Sequence, residues 1–176
     1  MPPTIPPIVG GQTVINADFW LKAAHGVVRR FCGWHVAPLI TETIILDGSG
    51  GRDVLLPSLH VVTLTSVVND GEDVTAAVDT SRAGILRLTD GTWTDRLGRI
   101  SVTLSHGYEL DEVPEVAAVI AGVAKRGPNS GRVEASEAAN GSSRGAVLDR
   151  GAPISIPLLM TERETLSTYR LEWGTR

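Results

Sequence analysis

Apolar positions along this 176-residue chain change their period twice. Over residues 17–32, Asp18, Lys22, His25 and Arg29 fall on one side of a helix, while Trp20, Ala24, Val27, Val28 and Phe31 fall on the other. That spacing predicts an amphipathic helix with one wet and one buried face. Asn16 suits its N-cap and Gly33 its C-terminal stop. From 41 to 105 the pattern alternates and β-branched residues dominate, which predicts strands near 41–46, 53–56, 60–68, 85–88 and 99–105. Asp47-Gly48, Asp70-Gly71 and Asp90-Gly91 read as turns, because Asp and Gly tolerate the positive φ of tight hairpins. The first is expected to fold strand 41–46 back against strand 53–56. In the last strand Ile100, Val102 and Leu104 alternate with Ser101, Thr103 and Ser105, so one face should be buried and the other polar.

Helical spacing returns after Pro114, a residue suited to a first turn, and ends at Gly127-Pro128. Val116, Val119, Ile120 and Val123 form an apolar stripe, and the opposite side carries only the small residues Ala117, Ala118, Ala121, Gly122 and Ala124. No residue from 116 to 124 looks built to face water, so this helix is expected to be covered on all sides. Its small face admits a close helix neighbour, either inside one subunit or between subunits. Residues 129–150 are rich in Gly, Ser, Ala and charge and read as a long flexible loop, about 128–152. Ile154-Ser155-Ile156 suits a short strand, and Thr161 with Glu164 suits a capping box opening a last helix near 162–170. The fold class is therefore α+β: an N-terminal helix, a central antiparallel β region near 40–106, a buried Ala/Val-rich second helix, a long loop, and a short C-terminal helix with an extended tail. The expected organisation is a Pro-rich arm over 1–15, one domain over 16–170 and a tail over 171–176.

Composition narrows the function classes. A net charge of −4 argues against a protein whose task is to grip nucleic acid. Arginine outnumbers lysine fourteen to two, a bias expected of a GC-rich genome rather than of a binding site. One cysteine, Cys32, excludes an internal disulfide and suits a reducing cytosol. Residues 1–9 are apolar but broken by four prolines, unlike a signal peptide, and no apolar run is long enough to span a bilayer. Synthesis in the cytoplasm as a soluble chain is expected.

The candidates for chemistry are thin. Cys32, His35 and His25 offer one metal-ligand pair where a structural zinc site needs four ligands, so this stretch is assigned to a helix end packed by Trp34. The glycines of 47–52 are followed by Val54-Leu55-Leu56-Pro57, a strand-like run, where a phosphate loop requires a helix. Acids cluster at Asp70, Glu72 and Asp73 and at Glu109, Asp111 and Glu112, at a turn and ahead of a helix, where solvated carboxylates are ordinary. No nucleophile elbow is present. No cofactor, no metal and no enzymatic activity are expected.

The order of these elements, with Phe31-Cys32-Gly33-Trp34-His35, Ser105-His106-Gly107-Tyr108 and Thr168-Tyr169-Arg170-Leu171, resembles the head-to-tail adaptor (connector) proteins of long-tailed bacteriophages, in the form carried by phages of high-GC actinobacterial hosts. The resemblance implies a virion protein of the neck, forming a ring of twelve copies beneath the portal. That ring continues the DNA channel without binding double-stranded DNA specifically, and it meets the portal protein on one side and the next neck or tail-completion protein on the other. Ala117, Ala118, Ala121 and Gly122 are then candidates for the subunit interface, and Tyr169, Leu171, Trp173 and Arg176 for docking to portal or tail. A head-closure or tail-terminator protein is the neighbouring alternative and would be richer in strands, without the helix pair. A small cytosolic metal- or ligand-binding domain and a regulator that binds a peptide on a β edge are the alternatives from other classes.

Overall fold

The computed structural model describes residues 14–129, 138–139, 142–143 and 157–172. Helix α1 (Ala17–Cys32) has the expected limits: Asn16 Oδ1 accepts the Phe19 amide at 3.0 Å, and Gly33 ends the helix at φ 82° with its N–H on Arg29 O. The strands are β1 (Ile40–Leu46), β2 (Asp53–Leu55), β3 (Val61–Asn69), β4 (Glu72–Asp73), β5 (Val78–Thr80), β6 (Ile85–Leu88) and β7 (Ile100–His106). Helices α2 (Pro114–Arg126) and α3 (Met160–Ser167) follow. A two-residue antiparallel pair, Ala138–Ala139 with Ser142–Ser143, lies in the segment read as a loop. Residues 1–13 of the arm, most of the long loop, the Ile154–Ile156 strand and the tail beyond Glu172 lie outside the described residues. The α+β class holds.

The strands form two antiparallel sheets, ordered β1-β7-β3-β4 and β2-β6-β5. The expected hairpin between β1 and β2 is therefore absent. β1 pairs with β7, β2 pairs with β6, and the glycine segment carries the chain from one sheet to the other. The reason is a second chain running alongside it: Gly48 N–H donates to Arg96 O at 3.0 Å, Gly50 N–H to Thr94 O at 3.1 Å, and Trp93 N–H to Gly51 O at 2.8 Å. Asp47 accepts the Gly98 amide at 2.7 Å instead of closing its own turn. A Cβ on Gly48 would lie 1.9 Å from Thr94 O, so this glycine serves backbone approach, not a reversal. Asp70-Gly71, by contrast, is a tight β3–β4 hairpin turn with φ of 50° and 96°.

Each half has its own core. Val54, Leu56, Val67, Leu86, Leu88, Trp93, Ile100, Val102 and Leu104 pack between the sheets. Ala24, Val28 and Cys32 of α1, Val116, Val119 and Val123 of α2 and Leu166 of α3 make the helical core, with Trp34, Val36 and Leu171. α3 begins two residues before its expected start: the Leu159 N–H donates to Glu162 Oε2 at 2.9 Å, so Glu162 rather than Glu164 serves the helix start. Glu162 also takes both guanidinium nitrogens of Arg126 at 2.7 Å, which ties α3 to the end of α2.

Two glycine substitutions separate these roles. Gly48→Ala should lower unfolding free energy by at least about 2 kcal/mol in urea titrations, because a methyl is forced into a backbone carbonyl. Gly26→Ala, mid-helix with nothing within 4 Å of the new carbon, should raise it by about 0.5–1 kcal/mol.

Candidate functional site

The two cores meet at the turn that follows β7. Alternation along β7 buries every second residue from Ile100, and His106 is the last of that series, 1% exposed. Its Nε2 donates to Glu42 Oε1 on β1 at 2.9 Å, while its Nδ1 is buried with no hydrogen-bond partner. The His35 ring meets the His106 ring edge to face, with centroids 4.5 Å apart. His35 Nε2 donates to Pro38 O at 2.9 Å, since a carbonyl can only accept. Burial, then the neighbouring His106, holds the His35 pKa below its ordinary value, so the ring is neutral at pH 7. One ligand atom each from His35, Glu42 and His106 lies within 4.8 Å of the others.

Gly107 makes this junction possible. It sits at φ 104°, and a Cβ there would lie 2.5 Å from His35 Nε2 and 2.6 Å from Pro38 O. Tyr108 then stacks on His60 with ring centroids 4.1 Å apart and packs near Trp34 and Tyr169. His60 Nδ1 donates to Gly107 O at 2.8 Å, and its Nε2 accepts from Arg82. Across the junction the loop 33–39 holds Val36 at φ 63°. That conformation costs a β-branched residue about 1–3 kcal/mol. Burial of the Val36 side chain and a 2.9 Å bond from the Tyr108 amide to its carbonyl keep it there.

The residues singled out in the sequence fall differently. Cys32 is buried among helical-core side chains, and desolvation pushes its pKa up to about 11, which removes it as a nucleophile or ready ligand at neutral pH. His35 groups with Glu42 and His106, not with Cys32 or His25. His60 and His106 are both hydrogen-bonded, His60 to Gly107 O and Arg82 and His106 to Glu42. That linkage joins positions 7 and 64 residues apart along the chain (35 to 42, 42 to 106), so no local motif announces it. The strand alternation that places His106 on the buried face is the signal that was legible.

The glycine segment is no phosphate cradle: Gly48 and Gly50 amides bond backbone carbonyls, and Gly51 N–H bonds Ser49 Oγ at 3.3 Å. The acidic turns are structural. Asp70 pairs with Arg96 at 2.9 Å and Arg99 at 3.6 Å, Asp73 accepts both the amide and the hydroxyl of Thr75, and Glu112 accepts the Glu109 amide.

Ala117, Ala118 and Ala121 are exposed, so among the described residues α2 is not covered on all sides. Gly122 is half-buried and turns toward the Arg126–Glu162 pair. Tyr169 and Leu171 are built into the chain's own interior. The Trp34 indole donates to Tyr169 O at 2.7 Å, and the Tyr169 hydroxyl bonds Glu115 Oε1. Burial and then that bond hold the Tyr169 pKa well above its usual range. Leu171 is 8% exposed and its amide donates to Cys32 O at 2.8 Å. Trp173 and Arg176 lie outside the described residues.

No family model matches the chain, and no curated protein matches it in sequence. Solved structures share its fold, among them two neck structures. One is a chain of the neck of a native GTA (gene transfer agent) particle computed with C12 symmetry, at 14% identity and TM-score 0.54, covering 91% of this chain and 85% of that one. The other is from the neck of an empty GTA particle computed with C6 symmetry, at 14% identity and TM-score 0.51, covering 91% and 81%. Among the described residues, no helix is long and apolar enough to cross a membrane.

The burial of Cys32 has a direct readout. At pH 8 an aromatic disulfide reagent should label under about a tenth of the folded protein in the time that it labels urea-unfolded chain completely. Labelling at the unfolded rate would place the thiol outside the core.

Proposed function

We propose that this chain is a structural subunit of the neck of a phage-like particle, an adaptor that assembles as a ring between portal and tail. The observation that carries this reading is the likeness to neck chains over 91% of its length, in particles computed with twelvefold and sixfold symmetry. The packed pair α1 and α2 favours an adaptor over a strand-rich head-closure or tail-terminator protein. Its task is mechanical: it holds itself, the portal protein and the next neck component in register, without enzymatic activity, in virions of a phage of a high-GC host.

A ring closes through two different complementary surfaces on each subunit. The exposed Ala117, Ala118 and Ala121 face of α2 supplies one, since small side chains let a neighbouring helix approach to about 8 Å between axes. The net charge of −4 suits a channel through which DNA passes without sticking. Portal docking falls to the chain beyond Glu172, including Trp173 and Arg176, because Tyr169 and Leu171 are occupied within the fold.

Native mass spectrometry of the chain mixed with its particle's portal protein should give a discrete complex with as many copies of this chain as of portal. Two components that ignore each other would sink the adaptor reading. Removing residues 173–176 should abolish that complex with an unchanged circular dichroism spectrum, whereas removing 171–176 should also destabilise the fold, by about 2 kcal/mol for the lost leucine. Ala118→Trp should weaken ring formation at least about tenfold with the monomer intact.

A further inference from the structure

We propose that His35, Glu42 and His106 form a binding site for a divalent first-row metal ion, with zinc the best fit. Two imidazoles and one carboxylate are a donor set that zinc takes readily, with water completing a four-coordinate shell. The three ligand atoms already lie within 4.8 Å of one another. Zinc at about 2.0–2.1 Å from each needs them about 3.3 Å apart, a closure that modest side-chain rotation supplies.

Three further observations point to a ligand rather than to packing alone. The His106 side chain is 1% exposed and its Nδ1 has no partner, although buried polar atoms are nearly always satisfied. His35 is braced at Nε2 by Pro38 O at 2.9 Å, and the Glu42 carboxylate, 2.9 Å from His106 Nε2, leaves that bond to reach the ion. Such bracing by a carbonyl is an arrangement that orients metal-bound histidines. Glu42 is partly exposed, with 46% of its side chain open, so an ion has a way in and the carboxylate has room to turn toward it.

The three residues come from the loop after α1, from β1 and from the end of β7, so one ion would pin the helical half to the sheet. Nothing in the proposal depends on the neck reading. Cys32, two residues from Trp34 and buried in the helical core, takes no part.

The test is equilibrium dialysis of the full chain against zinc alone at pH 7.5, followed by metal analysis, with the melting temperature read in zinc and in chelator. About one zinc per chain is expected, with a higher melting temperature in zinc. His35→Gln, at the half-buried joint, and Glu42→Gln, on the exposed side, should each weaken binding at least about tenfold, while Cys32→Ala and His25→Gln should not. Circular dichroism establishes that each variant is folded. Less than about a tenth of a zinc per chain, or uptake that survives both His35→Gln and Glu42→Gln, would overturn the site.

Discussion

Everything in this fold turns on a missing methyl group. At Gly107 the chain leaves β7 with the His35 ring and the Pro38 carbonyl pressed where a Cβ would stand. Because that space is open, loop 33–39 can lie across the end of β7, and because it lies there, His106 faces His35 on one side while Tyr108 stacks on His60 on the other. Two cores that share no large side chain are thereby held as one body.

Polarity around this point is arranged so that ionisable groups hold the fold. His60 is bonded at both nitrogens, and Tyr169 meets Glu115 through its hydroxyl. Asp53 pairs with Arg87 across β2 and β6, a solvent-exposed contact of the kind that contributes little to stability. On the open face of β1 and β7, Thr41 with Ser105 and Thr43 with Thr103 join hydroxyls at 2.6 and 2.9 Å. A cleft of about 620 Å³ beside His60 is lined by Arg82, Glu109 and Glu112, but His60, Arg82 and Glu112 are engaged in bonds of the fold.

Local physics was legible in the sequence wherever one element decides its own form. The limits of α1 follow from Asn16 and Gly33, and the alternation of β7 follows from Ile100, Val102 and Leu104. Partnership between elements was not legible. Asp47-Gly48 has the chemistry of a reversal, yet backbone bonds to residues 93–96 turn it into a bend between sheets. β5 was missed because three residues, Val78–Thr80, carry too little pattern. The small face of α2 was read as covered, since apolarity alone does not say whether the cover comes from the same chain. His35, Glu42 and His106 stayed invisible as a group because the strand pairing of β1 with β7, which brings them together, was itself misread.

The last described stretch of chain has a mechanical side. Tyr169 and Leu171 are fastened to Trp34 and to Cys32, at the end of α1. A pull on the chain beyond Glu172 would therefore reach those two hydrogen bonds, a buried leucine and the loop wedged over Gly107. A pull at that end would run into the joint between the halves of the molecule instead of peeling a strand from a sheet edge.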